Sequence, residues 1–245
     1  MEKHKKTFIK LFGETARYVH RYQLFGDFID CAAAAIHNRF VHDDDLERSY
    51  LDCVKRYKRE DMEKMSRLLA ELVMGLESGF CDFLGEVFME LELGNQARGQ
   101  IFTPYHISKL CALMTHGNSF PQLDTVPFIT VNDCCCGAGA MIIAFAESML
   151  ESGFNPQERM WAHCTDIDDR CAKMAYIQLA LFGLPAEIVI GDSLRMDFRK
   201  VLRTPAHYLL GWDAKLRQRY TQVAHEPTVS KAAEQLTLFD LELAS

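Results

Sequence analysis

The sequence predicts an α/β fold, a mostly parallel doubly wound sheet that follows an all-helical N-terminal region. Two observations carry this. Across residues 7–93 apolar side chains recur at three- and four-residue steps, as in Leu68, Leu69, Leu72, Val73 and Leu76, then Phe80, Phe83, Leu84, Val87, Phe88 and Leu91. That is the period of helices with one buried face. After residue 99 the texture changes, and short β-prone runs at 128–132, 161–165 and 187–190 alternate with helix-length stretches. Strands at that spacing are joined by crossover helices and pair in parallel.

Taken in order, Ala32-Ala33-Ala34-Ala35 favours helix, and His42-Asp43-Asp44-Asp45 reads as a turn ending in a helix N-cap. Gly94-Asn95 supplies a helix stop. Thr103-Pro104 starts a further helix through Ile107, Leu110, Cys111 and Met114, which Gly117-Asn118 and Pro121 break. The helix after the first strand covers residues 140–150, and the next runs through Ala172, Ala175, Ile177 and Leu181. Three regions result: helical 1–93, sheet-bearing 94–224, and a flexible tail 225–245.

Composition narrows the class. The 49% hydrophobic and 25% charged residues are ordinary for a soluble globular protein, and no apolar run approaches the ~20 residues of a membrane span. The basic start, Met1-Glu2-Lys3-His4-Lys5-Lys6, has no apolar segment behind it, so a signal peptide is not expected and the cytoplasm is. None of the nine cysteines forms a C-x-x-C pair, and three are consecutive at 134–136. They read as free thiols acting as small apolar groups, with no metal expected. A net charge of −7 is not that of a general nucleic-acid binder. Between Arg195 and Arg219, however, seven basic residues face two acidic ones, a cluster that suits a phosphate contact or a solvated helix face equally.

The chemistry concentrates at Asp133-Cys134-Cys135-Cys136-Gly137-Ala138-Gly139, between a strand and a helix. Glycines there let the backbone approach a ligand and present helix N-terminal amides. Asp166 and Asp192 close the second and third strands. With Asp133 they place three acidic residues at successive strand ends, where such sheets bind nucleotide-like ligands.

With these residues in hand, the sequence resembles the N6-adenine DNA methyltransferases related to type I restriction-modification modification subunits. Four segments carry the resemblance, over residues 94–195: Gly99-Gln100-Ile101-Phe102-Thr103-Pro104, the Asp133–Gly139 turn, Thr165-Asp166-Ile167-Asp168, and Gly191-Asp192-Ser193-Leu194. In the second, Cys134 stands where the family usually has proline. The resemblance implies a Rossmann-like S-adenosylmethionine-binding sheet and DNA as the substrate. It also implies roles. Phe102, Thr103 and Pro104 would cover the methionine end of the cofactor, and Asp133, Gly137 and Gly139 would cradle its amino-acid part. Asp166 would hold the ribose hydroxyls, Ile167 would pack on the adenine, and Asp192 would receive the adenine amino group.

One feature departs from the family. The Asn-Pro-Pro-Phe/Tyr tetrapeptide, which holds the flipped target adenine, is absent. At the corresponding distance stands Arg203-Thr204-Pro205-Ala206-His207-Tyr208. Thr204, Pro205 and Tyr208 are therefore the catalytic candidates, against the simpler possibility of a helix start with Pro205 in its first turn and Tyr208 in the core. The sheet is expected to be truncated or completed by partners. Two functions stay open: an adenine-N6 methyltransferase with a variant catalytic loop, or a catalytically inactive methyltransferase-fold protein acting through partners. In the tail, Gln235-Leu236-Thr237-Leu238-Phe239 resembles the peptide by which bacterial proteins bind the sliding clamp, with Gln235, Leu236, Leu238 and Phe239 as its contacts.

Overall fold

The structure is a computed structural model that describes residues 1–93, 102–116 and 120–225. Five helices open the chain: α1 (Glu2–Glu14), α2 (Arg21–Asn38), α3 (Asp44–Arg56), α4 (Arg59–Glu77) and α5 (Phe83–Glu90). The expected cap at 42–45 is made by Asp43, whose carboxylate accepts from the Asp45 and Leu46 amides. It satisfies two of the amides that a helix start leaves without partners. The inward faces meet through aromatic rings. Phe8 lies edge-on to Phe28 and Phe83, and Phe25 packs on Phe12 and Phe88.

The rest of the main unit alternates strand and helix: α6 (Tyr105–His116), β1 (Ile129–Asp133), α7 (Ala140–Glu151), α8 (Pro156–Arg159), β2 (Met160–Asp166), α9 (Asp169–Leu181), β3 (Ala186–Asp192), β4 (Asp197–Arg203) and α10 (Pro205–Leu209). The sheet order is β1-β2-β3-β4, with the first two pairings parallel as expected and the third antiparallel. Along β2 and β3, Met160, Ala162, Cys164, Ala186, Ile188 and Ile190 share a core with Ile142, Ile143 and Ala146 of α7 and Ala172 and Ala175 of α9. Alternation fixes this, because successive strand residues point to opposite faces. The other face carries a cross-strand line of His163, Glu187 and Arg203 in register. Glu187 pairs with Arg203 at 2.7 Å and with His163 at 3.4 Å. Hydrogen bonds from the His163 ring and the Arg203 guanidinium hold its carboxyl down at about 2 against the opposing effect of burial.

Strand β4 is the element that the sequence reading lacks. It turns back from β3 through residues 193–196, with Met196 at φ +56°. A bulge between Ile190 and Gly191 leaves Arg199 without an opposite partner. Gly191 allows this close passage: an added methyl group would run into the Asp197 carbonyl oxygen and the Phe198 Cα. Chain reversal carries Thr204 to the start of β3, and α10 then crosses beneath the sheet. There the Trp161 indole N–H donates to His207 at 3.1 Å, and Phe128 stands edge-on to Trp212 at 4.9 Å.

Residues Met1–Trp212 form one compact unit, and most of α11 (Trp212–His225) lies beyond it. The clamp-like peptide at 235–239 lies outside the described residues. Among the described residues no helix is long and apolar enough to cross a membrane.

Candidate functional site

At the carboxyl ends of β1 and β2 lies a cavity of about 260 Å³. Its floor is the turn after β1. Gly137 and Gly139 take φ of +53° and +92°, the left-handed region that other residues enter at a cost. Space excludes larger side chains as well. A Cβ on Gly137 would sit 3.0 Å from the Phe102 ring, and one on Gly139 would press against Ala175 of α9 at 3.3 Å. Gly139 thus lets the helix approach closely, and Gly137 leaves the cavity open.

Backbone bonds hold the turn in place. The Cys136 amide donates to the Thr165 carbonyl at 3.0 Å, and the Gly137 amide donates to the Asp166 carboxylate at 2.8 Å. Asp166 accepts a second bond from the Asp168 amide at 2.9 Å, while Asp133 accepts from the Cys135 amide at 3.2 Å. Burial pushes both carboxyls above the ordinary carboxylate range, and these amide bonds work against the shift. Two braces arrive from the β3–β4 side. The Ser193 hydroxyl donates to the Cys134 carbonyl, and the bulged Arg199 donates to the Ile167 carbonyl. A bulge commonly redirects a side chain in this way.

The structure brings Phe102, Thr103, Asp133, Gly137, Asp166 and Ile167 together on the cavity wall. Gly139 stands behind the turn against α9, and Pro104 lies one residue outside the lining, where its carbonyl accepts from the Ile107 and Ser108 amides of α6. Asp192 does not join them. Its carboxylate accepts from the Leu194 and Arg195 amides of its own turn and lies 3.7 Å from the Arg195 guanidinium. The sequence reading missed Met141, Asp168 and Cys171, which also line the cavity. The helical pattern around Met141 and Cys171 assigns them to a core, and only the strand order turns them toward the crevice. The cysteines are all free. Six are buried as expected, whereas Cys134 and Cys135 are exposed at the turn.

Thr204, Pro205 and Tyr208 are a correction. They lie at the other end of the sheet, because β4 runs antiparallel. The Thr204 amide donates to the Ala186 carbonyl at the first residue of β3, about 20 Å of strand from Asp192. Thr204 is fully buried, donating its hydroxyl to the Leu184 carbonyl at 2.8 Å and accepting from the Ala186 amide at 2.9 Å. Pro205 occupies the first turn of α10, and Tyr208 is part-exposed at its surface rather than in the core. The basic cluster also changes meaning. It is divided between the turn at Arg195, strand β4 with Arg199, Lys200 and Arg203, and α11 with Lys215, Arg217 and Arg219. Of these, Arg195, Lys200 and Arg203 pair with Asp192, Asp43 and Glu187.

Residues 83–218, more than half of the chain, match the profile of the N-6 DNA Methylase family. The chain belongs to that family. Its cofactor is S-adenosylmethionine, and the cradle vacated at Gly137, beside a carboxylate at each strand end, fits such a group. No curated protein gives a significant sequence match. Two solved structures resemble the chain loosely. One is a protein described as a class I S-adenosylmethionine-dependent methyltransferase from Listeria monocytogenes, at 13% identity and a TM-score of 0.40, aligned over 79% of this chain and 55% of its own. The other is the type I restriction-modification system methyltransferase subunit from Streptococcus thermophilus, at 12% identity and 0.40, over 81% and 59%. The chain therefore spans a little over half the length of either structure.

Proposed function

We propose that this chain is the cofactor-binding component of a DNA adenine-N6 methyltransferase. The observation that carries the reading is the cavity wall, where Phe102, Thr103, Asp133, Gly137, Asp166 and Ile167 converge at the carboxyl ends of β1 and β2. When bound, S-adenosylmethionine supplies a methyl group on a sulfonium centre. Asp166 binds the ribose hydroxyls with the lone pairs left over from its two amide bonds, since a carboxylate has about four acceptor sites. Ile167, 64% exposed, offers an apolar surface to the adenine ring. Asp133 and the turn at Gly137–Gly139 hold the amino-acid end, with Phe102 and Thr103 above it.

Orienting a target adenine needs acceptors for its amino group and an aromatic face, held near the methyl group. Thr204 and Tyr208 stand at the wrong end of the sheet for this. The groups that grip the base therefore come from outside the described residues, with a partner subunit of a modification complex as the source we favour. The burial of Thr204 equally favours the second reading, a catalytically inactive binding protein. The clamp-like peptide Gln235–Phe239 points to the sliding clamp as a second partner on its sequence alone.

Calorimetry with S-adenosylmethionine, then radiolabelled methyl transfer to mixed-sequence DNA, tests both readings. Binding is expected, and Asp166→Ala is expected to weaken it tenfold or more, as loss of a charge-assisted acceptor costs roughly 1.5–3 kcal/mol. Absence of binding by the unmutated chain at millimolar cofactor would overturn the cofactor reading. Binding without transfer, with modification-complex partners present, would leave the inactive reading standing.

A further inference from the structure

Gln178 lies in the last turn of α9, fully buried, with every polar atom of its amide engaged. Its Nε2 donates at 2.8 Å to the Asp82 carboxylate and, also at 2.8 Å, to the Ala138 carbonyl. Its Oε1 accepts from the Leu84 amide at 3.0 Å. The assignment of oxygen and nitrogen is forced, because two acceptors face one side of the amide and an N–H donor the other. Asp82 is the N-cap of α5 and accepts from the Gly85 amide with the same oxygen. Ala138 sits between Gly137 and Gly139 in the turn that floors the cavity, and its residue lines that cavity. One buried amide therefore joins the start of a helix in the N-terminal region to the backbone of the cofactor turn. On the same face of α9, Ala175 and Leu179 contact the position of Gly139.

We propose that Gln178 is a positioning residue of the cofactor site, fixing the Ala138 carbonyl, and with it the amides of the turn, by anchoring them to the capped start of α5. This rests on the cofactor reading above and deepens it. A turn between two left-handed glycines has several accessible conformations, and a single buried hydrogen bond to its central carbonyl selects one. The portion of the ligand that depends on that choice is the amino-acid end. The nucleoside end rests on Asp166 and Ile167, which Gln178 does not touch.

Two ligands separate these ends: S-adenosylhomocysteine carries both, and adenosine carries the nucleoside alone. In calorimetry on the full chain, Gln178→Met keeps the volume and removes the donors. It is expected to weaken S-adenosylhomocysteine about tenfold or more while adenosine changes less than twofold. A role limited to general stability would weaken both ligands alike, and that result overturns the proposal, as does unchanged S-adenosylhomocysteine affinity. If unmutated protein binds neither ligand, the cofactor reading fails first and this inference falls with it. Hydrogen exchange on the unmutated chain keeps the test independent of the variant's folding. S-adenosylhomocysteine should protect the Leu84 and Gly85 amides, outside the cavity, and adenosine should not. Equal protection by both, or by neither, overturns the proposal.

Discussion

Asp82 carries an ionisable group into the core, and its carboxyl is pushed up to about 6. Burial is the largest cause, opposed by the bonds from Gln178 and the Gly85 amide and reinforced by the Glu86 carboxylate one turn along α5. The folded-state value lies above the unfolded one, near 3.9. The group is therefore tolerated best while protonated, and stability falls as pH rises from about 4 through about 6. The difference corresponds to as much as about 3 kcal/mol by linkage. Asp82→Asn retains an oxygen for both donors and cannot ionise. We expect urea unfolding to show the variant gaining on the parent chain between pH 4 and pH 8. A constant difference across that range would contradict the assignment. This residue and Gln178 were not legible in the sequence, because their bonds join positions 94 and 96 apart. Asp166 and Gly137 were legible. Their constraints are local ones, a strand end and a turn that only glycine enters without strain.

At the scale of elements, capping and periodicity revealed the helices and the three parallel strands, whereas β4 stayed hidden. Its sequence, Asp197-Phe198-Arg199-Lys200-Val201-Leu202-Arg203, has the charge of a solvated segment. It is an edge strand, and the pairs Arg203–Glu187 and Lys200–Asp43 explain the cations. Missing that strand also misplaced the catalytic candidates, since the direction of β4 decides which end of the sheet Thr204 reaches. Thr204→Val keeps the shape and deletes a hydroxyl that both donates and accepts inside the fold. The expected loss is about 1–3 kcal/mol of stability in thermal unfolding, with cofactor affinity within twofold of the parent. Methyl transfer that fell tenfold with stability unchanged would restore Thr204 to a catalytic role.

For the molecule as a whole, the N-terminal helices and the sheet share one core within Met1–Trp212. Lys173 of α9 reaches Asp30 of α2 at 2.7 Å, and the Arg170 guanidinium lies over the Tyr22 ring at 3.8 Å. Which residues make that union was not legible, because amphipathic periods show that helices have apolar faces and not what covers them. The tail is a separate matter. If Gln235–Phe239 engages the sliding clamp, a peptide of the last ~15 residues should bind it at micromolar strength. Replacing Leu238 and Phe239 with alanine should then abolish binding and leave the melting temperature unchanged. A clamp indifferent to the peptide would remove that partner.

The reversal at β4 bears on how the protein acquires its fold. Paired residues lie 31 positions apart in β1–β2 (Ile129 and Met160), 24 apart in β2–β3 (Ala162 and Ala186), and as few as five apart in β3–β4 (Asp192 and Asp197). Closing a short loop costs the least chain entropy, and hairpins form in roughly microseconds. The β3–β4 hairpin is therefore the natural template on which β2, and then β1, can assemble. On that order Asp133 and the glycine turn belong to the strand that would join last. Ligand capture thus reports a finished sheet, and a chain stalled with β1 undocked has secondary structure but no cavity.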